Sequence, residues 1–210
     1  MAQLIGAAAT KTAKQTLVLQ LANKLAIIFV VLATIPGLIT LLRLNRDDSK
    51  GYFEQLHAKA TSRLRLYLSF SAFGLISAIV AFALGIYGMD VAGAAAMGHD
   101  AIHLTRFMRA FWGFTPALIV TFGITACLVG FLPRWQNIAW LIPAYGFFSL
   151  YLGSMLDFPK WALRLTPYGW VNTVPVHTIN WGTAGWMTAL GIVLIGLGYL
   201  GYRRRDLLTN

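Results

Sequence analysis

Five stretches without a single charged side chain decide what this sequence can fold into. Residues 25–42, 66–89, 110–133, 135–156 and 184–202 contain no Asp, Glu, Lys or Arg. As helices rising about 1.5 Å per residue, runs of this length cover the roughly 30 Å of hydrocarbon in a bilayer. A soluble fold would have to bury all of them in one small core. The composition argues against that, with 58% hydrophobic and only 11% charged residues, where soluble domains carry roughly a quarter charged. The pattern predicts an all-α integral membrane protein with about five transmembrane helices.

The segments between the runs define the organisation. Residues 1–24 hold Lys11, Lys14 and Lys24 and no acid, and read as an N-terminal external or interfacial segment whose frayed start leads into a helix. Pro36-Gly37 should kink the first span, which membrane helices tolerate. Residues 43–65 form the main water-soluble piece, a charged hinge. There Asp47, Asp48 and Ser49 offer N-cap oxygens for a following helix, in which Phe53, Leu56, Ala60 and Leu64 recur at three- and four-residue spacing. That spacing predicts a short amphipathic helix along the membrane surface; a solvated loop that only anchors orientation fits the same residues.

Further on, Ser69, Ser71, Gly74, Ser77, Gly85 and Gly88 make residues 66–89 rich in small side chains, as where helices approach closely in lipid. A loop is expected from Asp90 to Thr105, and a tight return at Pro133-Arg134-Trp135. Pro143 and Gly146 should distort the fourth run. Residues 157–183 are broken by proline and read as an external interfacial segment. Pro159 suits the first turn of a short helix and Pro167 stops it, and Trp161, Trp170, Trp181 and Trp186 sit at headgroup level.

Charge sets the orientation. The hinge, Arg134 and Arg203-Arg204-Arg205 place ten basic residues on one side, against seven elsewhere. That side is assigned to the cytoplasm of a cell-membrane protein, with the N-terminus outside and the C-terminus inside. Lys11, Lys14 and Lys24 count against this assignment. The net charge of +10 follows from the same rule and does not imply nucleic acid, because no stretch alternates basic and aromatic residues as a binding groove would. Cys127 has no second cysteine to pair with and reads as a small packing residue.

Chemistry-bearing motifs are few. No Gly-x-x-x-x-Gly-Lys-Ser/Thr phosphate loop occurs. No ionisable residue lies inside a span, which favours an apolar or amphipathic cargo and excludes a relay of carboxylates. His99 and His103, four apart, would share a face of a helix and offer a metal or haem site. Against it, Asp100 stands where a zincin needs Glu, His57 lies on the other side, and His177 is far along the chain. A non-transporting membrane partner is a further alternative.

The order of elements then meets specific residues. Arg46-Asp47-Asp48-Ser49-Lys50-Gly51-Tyr52-Phe53-Glu54-Gln55-Leu56 with Ser62-Arg63, then Thr115-Pro116-Ala117, Gly130-Phe131-Leu132-Pro133-Arg134, Leu156-Asp157-Phe158-Pro159-Lys160-Trp161, Thr166-Pro167-Tyr168-Gly169-Trp170 and Gly201-Tyr202-Arg203-Arg204-Arg205-Asp206-Leu207 occur in this order. In this the chain resembles the permease of ABC-2-type exporters, in particular the group exporting polyketide antibiotics. The resemblance covers roughly residues 43 to 207, departs from it in the acidic pattern around Gly51, and implies a six-span unit of which residues 25–42 are the second span. The permease domain then runs over residues 25–207, with 208–210 a short tail.

The resemblance further implies that residues 43–65 carry a coupling helix that docks on a separate ABC ATPase, so that ATP acts through that partner and this chain binds no cofactor itself. Gly51, Phe53, Glu54, Leu56 and Arg63 are its candidate coupling residues. Glu54 and Arg63 would make polar contacts, and Phe53 and Leu56 would brace the joint or bury against their own bundle. A second permease chain or half would complete the unit across the small-residue face of residues 66–89, and a lipophilic cargo, including antibiotics or drugs, would cross between them. The chain is expected to be a C-terminal half, a truncated product or one subunit of a split permease.

Overall fold

The computed structural model describes residues 2–49, 63–97, 103–153, 156, 158–171, 174 and 177–204, with side chains described from residue 16 onward except at 47–49, 63, 96 and 97. All regular structure among them is helical. The order is α1 (Ala2–Ser49), α2 (Arg63–Met97), α3 (Leu104–Phe131), a 3-10 segment (Pro133–Trp140) that runs into α4 (Leu141–Phe147) and a π-helical turn (Phe148–Leu152), then α5 (Lys160–Leu163), a 3-10 turn (Pro167–Trp170) and α6 (Trp181–Arg203). Of these, α1, α2, α3 and α6 are long and apolar enough to cross a membrane, the all-α membrane architecture that the uncharged runs predict.

Several boundaries differ from the sequence reading. α1 has 48 residues, about 72 Å of helix, and passes residue 24 without a break; alanine, the strongest helix former, recurs through its first half. It also continues through Pro36 and through Asp47, Asp48 and Ser49. Those three therefore lie in the last described turn of α1, where Leu44 and Asn45 just before them are buried, and the hinge helix expected after them falls outside the described residues. The loop expected from Asp90 is also shorter: α2 runs to Met97, carried by Ala92, Ala94, Ala95 and Ala96, with Gly93 against Phe107 of α3.

The fourth run is not one α-helix. Pro133 opens a 3-10 segment, and Pro143, which has no N–H, cannot pair with the Ala139 carbonyl as an α-helix would require. Ser149 Oγ donates to the Gly146 carbonyl at 3.3 Å at the entry to the π turn. The first 15 residues of this composite, the 3-10 segment with α4, cover roughly 26 Å at about 2.0 and 1.5 Å per residue.

α3 is the centre of the bundle. Of its apolar window 67% is buried, against 28% for α2 and 22% for α6. α1 and α2 are antiparallel and meet α3 at one junction, where a Cβ on Gly37 would lie 2.7 Å from the Gly74 carbonyl and would also strike Phe122. The most extensive contact, between α3 and α6, is parallel and brings the two backbones together at two glycine pairs. A Cβ on Gly123 would lie 2.7 Å from the Gly191 carbonyl, and Gly130 is stacked directly on the Gly198 backbone. Close backbone approach of this kind is how helices associate in lipid, where no hydrophobic drive exists between them. Cys127 Sγ meets the Leu194 carbonyl at 3.1 Å, in keeping with its reading as a packing residue. Tyr67 of α2, fully buried, donates to the Ile195 carbonyl of α6 at 2.8 Å.

Candidate functional site

One end of the bundle gathers the hinge-side termini: the end of α1, the start of α2, the corner between α3 and the 3-10 segment, and the end of α6. The corner has a backbone problem. Leu132 N–H bonds to the Leu128 carbonyl at 2.9 Å, but the next residue is Pro133, which has no N–H to give the Val129 carbonyl. α1 supplies a donor instead. Asn45 Nδ2 donates to the Val129 carbonyl at 3.1 Å and to Gln136 Oε1 at 2.7 Å. Asn45 is 7% exposed between the fully buried Leu44 and the exposed Arg46. The first residues of the hinge therefore include a side chain that bridges α1 to the α3 corner.

The other end is closed by the segment after the π turn. Its indoles face outward, with Trp161, Trp181 and Trp186 exposed, as the interfacial reading expects. Its middle does not lie on the surface, however. Pro159 precedes α5 as its N-cap, Tyr145 donates to the Ala162 carbonyl at 3.1 Å, and Trp170 Nε1 donates to the Arg164 carbonyl at 2.7 Å. These bonds fold Pro167–Trp170 inward, so that Thr166 and Tyr168 become buried. Asn180 caps α6 by accepting from Thr183 N–H at 3.2 Å, which starts the last span at Trp181, three residues before the sequence boundary.

Tyr168 is where this segment enters the bundle. Its ring lies over Gly146, where an added Cβ would approach Cδ2 to 2.6 Å. Its hydroxyl lies beside those of Thr34 in α1 and Thr121 in α3. Both of those hydroxyls give their own proton to their own helix: Thr34 donates to the Val31 carbonyl at 2.6 Å and Thr121 to the Ala117 carbonyl at 2.9 Å. The Tyr168 and Thr166 hydroxyls are buried without a hydrogen-bond partner, as are Asn23 Oδ1 and Ser71 Oγ elsewhere in the bundle. Beside them, Gly113, Trp170, Val174, Ile179, Asn180 and Met187 line a small open cleft.

Of the residues singled out from the sequence, Gly51, Phe53, Glu54 and Leu56 lie outside the described residues, and Arg63 is the first residue of α2. His99 also lies outside them. His103 is exposed at the N-cap of α3 with extended backbone (ψ 139°). Sequence reasoning passed over Asn45, Gln136, Thr34, Thr121 and Tyr168 because it searched the spans for ionisable groups. The signal for Asn45 was Pro133, four residues after Val129.

The family model described as the C-terminal domain of the multidrug efflux system permease Rv1217c matches residues 1–203. The multidrug efflux system permease protein Rv1217c of Mycobacterium tuberculosis is 32% identical over 177 residues, which cover 79% of this chain and 30% of that protein. The chain thus spans less than a third of the relative's length.

Proposed function

Because this chain belongs to the family of the multidrug efflux permease C-terminal domain, we propose that it forms part of the membrane-spanning pathway of an ABC exporter that moves lipophilic or amphipathic compounds, drugs among them, with ATP hydrolysed by a separate chain. The observation that carries the reading is the family match over nearly the whole chain. The described spans agree with it: they carry mainly apolar side chains, with glycine, serine and threonine among them, suited to a cargo that partitions into lipid.

In this mechanism nucleotide-driven closure of two ATPase chains presses on residues 43–65, and the attached spans rock against a second permease half across the small-residue face of α2. In this reading the composite segment from Pro133 to Leu152 serves as a fifth crossing, and the excess of basic residues on the hinge side puts the N-terminus outside and the C-terminus with the hinge in the cytoplasm. Glu54 and Arg63 contact the ATPase, with Gly51, Phe53 and Leu56 shaping the joint.

Glu54→Ala or Arg63→Glu is expected to abolish drug-stimulated ATP hydrolysis in membranes while the amount of inserted protein stays unchanged. Measured against wild type at equal expression, unaltered stimulation in both variants would remove the hinge from the mechanism. Native mass spectrometry of the gently purified protein is expected to show a bound ATPase chain, and a lone chain or a homo-oligomer without one would contradict the proposal.

A further inference from the structure

We propose that Asn45 is a positioning residue that couples the hinge to the pore-forming helices, by carrying a displacement of α1 into the corner between α3 and the following 3-10 segment. The proposal rests on the exporter reading and adds to it a residue at the start of the hinge that is not among the coupling residues read from the sequence. Asn45 sits on the last turns of α1, and its amide nitrogen has two hydrogens. One goes to the Val129 carbonyl and the other to Gln136 Oε1. Both acceptors lie on the far side of a helix boundary, one at the end of α3 and one in the 3-10 segment.

The arrangement is suited to transmission for a physical reason. Apolar contacts such as those of Leu41 and Leu44 permit one helix to slide along another, because dispersion is non-directional. A pair of hydrogen bonds from one rigid amide is directional and, in a low-dielectric interior, is not readily exchanged for water. Movement of α1 at Asn45 must therefore move the corner or break both bonds. The displacement continues beyond the corner, since Gly130 adjoins Val129 and is stacked on Gly198 of α6. No side chain intervenes there to absorb it.

Pro133 allows the coupling role to be separated from a purely structural one. Pro133→Ala restores a backbone N–H at position 133; once Leu132 turns from φ −128°, ψ 64° to helical angles, that N–H serves the Val129 carbonyl and replaces Asn45 as its donor. The experiment uses inside-out membrane vesicles from cells expressing the full protein with its native partners, and measures ATP-dependent ethidium uptake per ATP hydrolysed, alongside the thermal midpoint of the solubilised protein. Asn45→Leu is expected to lower both. Asn45→Leu with Pro133→Ala is expected to regain the midpoint while uptake per ATP stays about fivefold or more below wild type, the scale of an allosteric coupling.

Recovery of uptake together with stability would overturn the proposal and leave Asn45 as a helix cap. If the double variant fails to fold, Gln136→Leu decides: it keeps the bond to Val129, and it is expected to retain the midpoint and lose coupling. Wild-type coupling in Gln136→Leu would overturn the proposal. Wild-type vesicles without ATP-dependent uptake would overturn the exporter reading itself, and this inference with it, an outcome visible before any variant is made.

Discussion

Replacing Gly198 with leucine is expected to cost more than about 3 kcal/mol, at the upper end of overpacking effects, whereas leucine at Gly196 is expected to cost nothing or to stabilise. The two positions lie two residues apart on α6. A Cβ on Gly198 would lie 2.5 Å from the Ala126 carbonyl and 2.6 Å from the Tyr67 hydroxyl, while one on Gly196 would meet nothing within 4 Å. At Gly198 the obstacle is backbone, which cannot rotate away. α3 and α6 must separate, and contacts along several turns are lost, including the Tyr67 bond to Ile195. At Gly196 the new side chain faces lipid, and removing a helix-interior glycine relieves about 0.8–1.0 kcal/mol of propensity cost. Thermal unfolding of the detergent-solubilised variants, followed by fluorescence-detected size exclusion, measures both. Equal midpoints for the two variants would contradict the parallel glycine contact.

Tyr168→Phe is expected to raise the thermal midpoint, and Tyr168→Ala to lower it severely. The phenol is 1% exposed and its hydroxyl has no partner, so it bears a desolvation penalty of about 1–3 kcal/mol that phenylalanine lacks. Phenylalanine keeps the ring over Gly146, and a gain of about 1 kcal/mol is expected, or a few degrees for a chain of this size. Alanine removes the ring itself and leaves a cavity between α1, α3 and α4, costing about 3–5 kcal/mol. A lower midpoint for Tyr168→Phe than for wild type would show that the hydroxyl makes a bond essential to the closed outer segment.

Burying this hydroxyl while Thr34 and Thr121 turn to their own helices also makes the outer segment the least satisfied part of the described structure. Its insertion depends on packing of the ring. It is held further by two bonds from aromatic side chains, those of Tyr145 and Trp170. A glycine at position 146 is required for that packing, because any Cβ there would strike the tyrosine ring.

Much of the architecture is a one-dimensional property, and so it was legible before any contact was known. Uncharged runs of about twenty residues imply spans because the bilayer removes the alternative of exposure to water, and Arg43, Arg65, Arg134 and Arg203 mark where those runs must emerge. Family membership was legible through short motifs in fixed order. Helix ends were less so. Ser49 and Met97 extend past the expected limits, since the end of an apolar run records where lipid stops and not where hydrogen bonding stops.

What only the tertiary structure decided is which residues meet. Pro36-Gly37 reads as a kink within one span, and only the contacts show that Gly37 serves the approach of α2 and Phe122. Trp170 and Tyr168 look equally interfacial, yet one remains at the rim and the other enters the bundle, because the carbonyls of Ala162 and Arg164 fix the turn between them. Asn45 is an ordinary polar residue at a span end until Pro133, 88 positions later in the chain, leaves the Val129 carbonyl without its helical donor. Such pairings depend on backbone groups whose needs arise only when the helices are side by side, and that information is distributed across the chain.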